Sequence, residues 1–128
     1  MKPSLLCLTL MLALWLSACN PTPARAAQTA SWYSKADCIK EGSSGVFTAS
    51  GKRFDENAMT AASWFYPYGT KVKVTSLNNG RSIIVIVNDR GPAKRLVKKG
   101  RVIDLSRGAF EKLAPLSEGM VPIKLEAL

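Results

Sequence analysis

Short stretches in which apolar and polar residues alternate recur in the second half of the chain. Val72 and Val74 alternate with Lys71 and Lys73, and Val121, Ile123 and Leu125 are separated by a proline and a lysine. A period of two residues is typical of a strand that buries one face. The two stretches therefore predict half-buried strands.

Three further segments are rich in β-branched, aromatic or apolar residues and are bounded by turn residues. They are residues 30–33, 81–88 and 101–105. Asn78, Asn79 and Gly80 tolerate positive φ angles, so they predict a hairpin turn between the strands on either side. About six short strands with little helix are typical of a small closed barrel. The chain is therefore predicted to be an all-β domain with one or two short helices.

Helix is expected after the strand at residues 101–105. Either Ser106 or Asp104 can cap a helix that runs to about Leu113. Residues 34–45 are polar and are expected to be irregular, and the basic residues 94–100 are expected to form a loop. No internal repeat and no second folded domain is apparent.

The apolar run at residues 84–87 stops abruptly at Asn88-Asp89-Arg90-Gly91-Pro92. Gly91 and Pro92 end the strand and force a turn. The turn places one carboxylate, Asp89, and one guanidinium, Arg90, at the rim of the core. Because a strand end limits how far its side chains can move, this position suits chemistry.

The N-terminus carries an export signal. Lys2 precedes an apolar segment too short to span a membrane comfortably, and Leu16-Ser17-Ala18-Cys19 matches a bacterial lipobox. In this interpretation Cys19 becomes diacylated and N-terminal after cleavage. The alternative is an ordinary signal peptide that is cut after Ala26. In both cases the protein leaves the cytoplasm.

Three segments follow from this interpretation: a signal peptide at residues 1–18, a Pro/Ala-rich tether at 19–28 and one domain at 29–128. Lys2 is the only charged residue in the signal peptide, so its removal lowers the net charge from +9 to +8. Such a charge suits anionic envelope partners such as cell-wall glycopeptide or phospholipid. The alternative is a basic surface that only aids solubility. Nucleic acid is not expected as a partner of an exported chain.

The cysteine and histidine content restricts the chemistry. Cys7 lies in the signal peptide and Cys19 is the proposed lipid site, which leaves Cys38 without a partner for a disulfide within the domain and most simply explained as a buried, inert thiol. The chain contains no histidine. Its absence excludes a Ser-His-Asp triad, a Cys-His pair and any His-ligated zinc, and no metal or cofactor is expected.

A series of short motifs occupies residues 30–33, 48–51, 53–55, 59–62, 68–70, 79–81, 88–92 and 103–106. Taken in order, the series resembles the rare lipoprotein A (RlpA-like) family of septal ring lytic transglycosylases. The resemblance implies a six-stranded double-psi β-barrel. It also implies cleavage of the MurNAc–GlcNAc bond of peptidoglycan to leave a 1,6-anhydro end, which needs no cofactor.

The resemblance implies Asp89 as the catalytic acid/base, and it also exposes two departures. Members of the family usually carry a glutamate where this chain has Lys52 and a histidine where it has Ser63. The sugar's own C6 hydroxyl is the nucleophile, so one carboxyl group suffices if it is protonated when the substrate arrives. Lys52 is expected to face Asp89 across the cleft. Its ammonium would stabilise the ionised form of Asp89 there, which would make Asp89 a weaker proton donor. Lys52 is better suited to hold an anionic lactyl or peptide carboxylate.

Other residues have both a binding and a structural interpretation. Arg90 could clamp the substrate or tie down its own turn, and Ser63 can contribute one hydrogen bond but no acid near neutral pH. Asp55 could lie near the cleft or form a turn, and Asp104 is expected to cap a helix. The aromatic residues could stack on sugars or pack in the core; these are Trp32, Tyr33, Trp64, Phe65 and Tyr66.

Two functions from different classes follow. The first is an endolytic peptidoglycan lytic transglycosylase that acts in wall remodelling or daughter-cell separation. The second is a non-catalytic, expansin-like protein that binds peptidoglycan. The expected partners are glycan strands, divisome proteins and the membrane, which the protein contacts through the lipid on Cys19. The protein is expected to be a monomer. The expected location is the periplasmic side of the envelope, at the outer rather than the inner membrane. If Cys19 is not lipidated, the protein is expected to be free in the periplasm or secreted.

Overall fold

The computed structural model describes residues 27–40 and 47–128. The predicted signal peptide, the lipidation site Cys19 and most of the predicted tether lie outside these residues. Among the helices in the described ranges, none combines the length and the apolar character needed to cross a membrane.

Six strands form a sheet that closes on itself. They are β1 (Thr29–Tyr33), β2 (Thr60–Ala62), β3 (Lys71–Ser76), β4 (Ser82–Asp89), β5 (Arg101–Ser106) and β6 (Met120–Ala127). Their order around the barrel is β1-β5-β2-β4-β3-β6, and β6 pairs with β1 to close it. The β1–β5 and β2–β4 pairs are parallel, and the other neighbours are antiparallel. The predicted all-β barrel is confirmed.

Short helices connect the strands. They are α1 (Lys35–Lys40), α2 (Lys94–Val97) and α3 (Arg107–Leu113), with a 3₁₀ turn at Leu116–Glu118. The prediction that residues 34–45 are irregular was wrong for α1. Ser34 and Asp37 form a capping box there, because the Asp37 carboxylate accepts hydrogen bonds from the Ser34 backbone N–H at 2.9 Å and hydroxyl at 2.7 Å. The basic segment 94–100, expected to be a loop, begins with the single turn of α2.

The alternating residues fill the barrel as predicted. Val72 and Val74 of β3 are fully buried against Val85 and Ile83 of β4, which are their register partners. Helix α3 closes this core with its own apolar face, on which Ala109, Phe110 and Leu113 are fully buried. Burial of these aliphatic and aromatic side chains supplies the main driving force for the fold.

The cap of α3 decides between two predicted residues. The Ser106 hydroxyl accepts a hydrogen bond from the Ala109 backbone N–H at 3.2 Å, so Ser106 is the N-cap. The prediction that Asp104 caps this helix was wrong. Asp104 lies within β5, two residues before the N-cap.

Candidate active site

β4 carries one extra residue immediately before Asp89. On the parallel strand β2, Ala61 pairs with Val87 and Ala62 pairs with Asp89, so Asn88 has no partner on β2. An extra residue of this kind bends a strand and re-aims the side chains beside it. Asp89 therefore stands at the point where regular pairing ends.

A row of four paired residues runs across the sheet at this level. Ser31 of β1 pairs with Asp104 of β5, Asp104 pairs with Ala62 of β2, and Ala62 pairs with Asp89. Neighbouring strands lie about 4.8 Å apart, which places the two aspartate backbones about 10 Å apart with the small Ala62 between them. Two carboxylates thus flank one methyl group.

All four residues of this row line a groove of about 740 Å³. This volume lies within the usual range of small-molecule sites. The groove also contains further charged side chains, namely Asp37, Arg90, Arg95 and Arg101. It is therefore a polar cleft over the end of β4, and its shape and chemistry suit an extended polar ligand.

Asp89 is held by hydrogen-bond donors from three segments. Its Oδ1 accepts from the backbone N–H groups of Ala49 and Arg90, both at 2.8 Å. Its Oδ2 accepts from the Tyr33 hydroxyl at 3.4 Å. Because Oδ1 is well occupied and Oδ2 has only this longer contact, Oδ2 is the oxygen with capacity for a substrate hydrogen bond.

Tyr33 stacks its ring on Phe54, with centroids 4.7 Å apart, and its hydroxyl lies beside Asp89. Burial, and next the negative charge of Asp89, raise the pKa of Tyr33 far above its ordinary value. The phenol therefore keeps its proton and acts as a donor in the groove. From its sequence alone Tyr33 could stack on sugars or pack in the core, because the pairing of β1 with β5 cannot be deduced from local pattern.

Arg90 ties its own turn to the neighbouring loop. Its guanidinium donates to the backbone carbonyls of Ser63 at 2.7 Å and Tyr66 at 3.0 Å. It also lies 3.9 Å from the centroid of the Tyr68 ring, at cation–π distance. The structural interpretation of Arg90 therefore accounts for its contacts, although the residue also lines the groove.

Lys52 does not line the groove that contains Asp89. It is exposed and borders a second cavity of about 270 Å³, together with Ser50, Tyr68, Ile86 and Asn88. The turn at residues 48–52 is held to itself, because the Thr48 backbone N–H donates to the Lys52 carbonyl at 2.8 Å. The expected position across the cleft from Asp89 is therefore not the one the structure shows.

Ser63 and Asp55 also lie away from the groove lining. Ser63 is 0% exposed, and its hydroxyl accepts from the Phe65 backbone N–H at 3.2 Å, so its side chain supports the loop and does not reach the groove surface. Asp55 accepts from the Asn57 backbone N–H at 2.9 Å and forms a turn. Both residues therefore have structural roles in this conformation.

Asp104, predicted to cap a helix, lies in the groove instead. It accepts from the Arg101 side chain at 2.9 Å and lines the groove. The signal available in the sequence was one acidic residue within the apolar stretch of residues 102–105. Cys38 is half-buried in the same groove rather than sealed in the core as expected. In the part of the chain that the structure describes, no group of three or more His, Cys, Asp or Glu residues could hold a metal ion.

The model of the lytic transglycolase family matches residues 25–125, which include β1 to β5, most of β6 and every residue that lines the groove. The chain belongs to this family. The closed six-stranded order and the family together confirm the double-psi β-barrel that the motifs implied.

Relatives of known name agree with this family assignment. A protein from Nostoc sp. named "Probable endolytic peptidoglycan transglycosylase RlpA" is 48% identical over 99 residues, which are 77% of this chain and 24% of that protein. The RlpA of Rickettsia felis is 44% identical over 99 residues, 77% of this chain and 40% of that protein. This chain therefore spans well under half the length of these relatives.

A solved structure is also similar. The Streptomyces papain inhibitor is 28% identical, with a TM-score of 0.58 over 80% of this chain and 92% of that one. This likeness supports the barrel fold. Proteins of different named activity thus share the architecture, so the function has to be argued from the groove.

Proposed function

We propose that this protein is an endolytic peptidoglycan lytic transglycosylase in which Asp89 is the acid/base. It would cleave MurNAc–GlcNAc bonds, leave 1,6-anhydro-MurNAc ends, and act in wall remodelling or daughter-cell separation. The observation that carries the proposal is the position of Asp89 in the groove of a lytic transglycolase domain. The names of the relatives, which act on peptidoglycan, support the substrate.

The reaction needs one carboxyl group and no external water. Protonated Asp89 donates its proton to the glycosidic oxygen as the bond from that oxygen to C1 of MurNAc breaks. The C6 hydroxyl of the same MurNAc attacks C1, and the Asp89 carboxylate accepts the C6 proton. The proton count is balanced, and the enzyme ends in its starting state.

The residues around Asp89 fit this cycle. The Ala49 and Arg90 backbone N–H groups fix Oδ1, so Oδ2 is the oxygen that exchanges the proton. The Tyr33 phenol, which keeps its proton, donates to Oδ2 when Asp89 is ionised and can turn to a sugar oxygen otherwise. Tyr33 is therefore a positioning residue in the proposed mechanism.

Product analysis tests the proposal. Purified mature protein is incubated with peptidoglycan sacculi, and the released muropeptides are separated and weighed by mass spectrometry. The proposal expects fragments with 1,6-anhydro ends, which are lighter by one water than hydrolysis products. Reducing ends of ordinary mass would instead indicate a hydrolase.

A non-catalytic, expansin-like role in peptidoglycan binding is the second candidate. The observation that favours it concerns the position where the family usually has a glutamate. This chain has the cation Lys52 there, and Lys52 borders a different cavity from the one that contains Asp89. Intact sacculi that retain the protein in a pull-down, without any soluble fragment, would support this role over the lytic one.

Membrane attachment through Cys19 is also proposed, with the protein on the periplasmic side of the outer membrane. The support is the lipobox at residues 16–19 and the absence of an aspartate after Cys19. The variant Cys19→Ala is expected to move the protein from the membrane fraction to the soluble fraction. A mature N-terminus at Ala27 in mass spectrometry would contradict acylation and favour a soluble periplasmic or secreted protein. Divisome contacts and a monomeric state remain proposals from sequence.

A further inference from the structure

The second cavity lies beside the catalytic groove but opens on the outer face of β4. Ile84 and Ile86 point to this outer face, since they are exposed while their neighbours Ile83, Val85 and Val87 are buried. Ile86 and Asn88 line the cavity, and Asp89, the next residue, lines the groove. One strand end therefore separates the two spaces.

Tyr68 forms a fixed aromatic wall of this cavity. Its ring is 43% exposed, and the Arg90 guanidinium lies 3.9 Å from its centroid. Arg90 is itself held by two backbone carbonyls, so the ring is supported from the side of the catalytic turn. A rigid ring that is partly open to solvent suits stacking against the apolar face of a sugar.

Two polar groups complete the cavity. The Lys52 ammonium is exposed and forms no ion pair or hydrogen bond with any residue that the structure describes. The Asn88 Oδ1 is buried and lacks a hydrogen-bond partner among the described residues, so no bond to this oxygen holds the amide in place. The cavity thus offers a cation and an adjustable amide beside an aromatic ring.

We propose that this cavity is a saccharide subsite for an N-acetylmuramic acid residue of the same strand that occupies the groove. Tyr68 stacks on the pyranose ring, Lys52 pairs with the lactyl carboxylate, and the Asn88 amide turns toward the sugar substituents. Lys52 thereby acts in substrate selection. The inference rests on the proposed function, because it takes the occupant to be a peptidoglycan strand.

Binding measurements with two soluble oligosaccharides test the subsite. One oligosaccharide alternates GlcNAc and MurNAc with free lactyl carboxylates, and the other is a chitooligosaccharide of equal length without them. Affinities are measured by calorimetry with the mature chain in an Asp89→Asn background, which prevents turnover. The variants Tyr68→Ala, Tyr68→Phe and Lys52→Ala are compared with two controls. Phe65→Ala removes an exposed aromatic ring, and Lys98→Ala removes an exposed lysine, neither of which borders the cavity.

The expected pattern separates the two contacts. Tyr68→Ala weakens binding of both ligands by about tenfold, while Tyr68→Phe and the controls leave it unchanged. Lys52→Ala weakens only the MurNAc ligand, by roughly threefold, and the loss disappears at high salt. If Tyr68→Ala fails to fold, the Lys52 comparison decides alone. The subsite would be overturned if Lys52→Ala lowered the affinity for both ligands equally. It would also be overturned if neither Lys52→Ala nor Tyr68→Ala lowered the affinity for either ligand.

Failure of the subsite and failure of the lytic proposal give different results. If sacculi yield no anhydro ends but the affinities follow the expected pattern, the subsite is supported and the catalytic function is refuted. Anhydro ends without any effect of Tyr68 or Lys52 would retain the function and remove the subsite.

Discussion

The two ends of β4 perform different tasks within one strand. At the beginning, Ile83 and Val85 meet Val74 and Val72 in a sealed apolar interior. At the end, an extra residue interrupts the pairing, and Asp89 opens into a polar groove. The comparison shows how a small barrel keeps its stability away from its chemistry: regular pairing holds the fold, and the site begins where that pairing stops.

The largest expected effect is on the apolar side. Phe110→Ala removes a fully buried ring that closes the core from α3, and it should lower the free energy of unfolding by about 3–5 kcal/mol. Urea unfolding followed by tryptophan fluorescence measures this change. Product formation per folded molecule should stay constant below the unfolding transition. A loss of activity in fully folded protein would show that the two regions are not separate.

A smaller effect is expected where the two regions meet. Ala62 is 3% exposed and lies between Asp89 and Asp104, so Ala62→Leu should intrude on the groove floor. We expect at least a tenfold loss of kcat/KM, alongside a destabilisation of about 1–3 kcal/mol from overpacking. Ala62→Ser is the matched control and should retain most activity. Equal activities for the two variants would indicate that substrate does not cross this floor.

The smallest effect concerns Tyr33 and has a characteristic pH dependence. Its pKa in the folded protein is raised above the ordinary value of 10.0, so the folded state holds the phenol proton more tightly than the unfolded state. This contribution to stability is complete below pH 10 and is lost as the pH rises further. Tyr33→Phe should therefore flatten the decline in unfolding free energy above pH 10, measured between pH 10 and about pH 11. An unchanged decline would contradict the burial of the Tyr33 phenol beside Asp89.

The sequence predicts the parts of this molecule that depend on neighbours along the chain. Alternation in β3 and β6 predicted half-buried strands, a β-branched run predicted β4, and the Gly91-Pro92 turn predicted Asp89 as a strand-end carboxylate. The capping box of Ser34 and Asp37 was also present in the sequence but was hidden among polar residues. Local signals of this kind carry most of the fold.

The groove depends on relations that no local pattern encodes. Asp104 and Tyr33 share the groove with Asp89 only because β5 and β2 lie between β1 and β4 in the sheet. Lys52 and Ser63 occupy positions where the family pattern has site residues, but a turn held by its own backbone keeps Lys52 in the second cavity, and the loop buries Ser63. The strand order therefore decides which polar residues form the site.

The central claim is that Asp89 exchanges a proton with the glycan in this groove. The direct measurement compares the rate at which anhydro ends are released from sacculi by the unmodified protein, by Asp89→Asn and by Asp55→Asn, whose turn lies outside the groove. Asp89→Asn should lower this rate by about 10²–10⁴-fold with sacculus binding retained, while Asp55→Asn keeps the original rate. Anhydro ends released by Asp89→Asn at the unmodified rate would contradict the account.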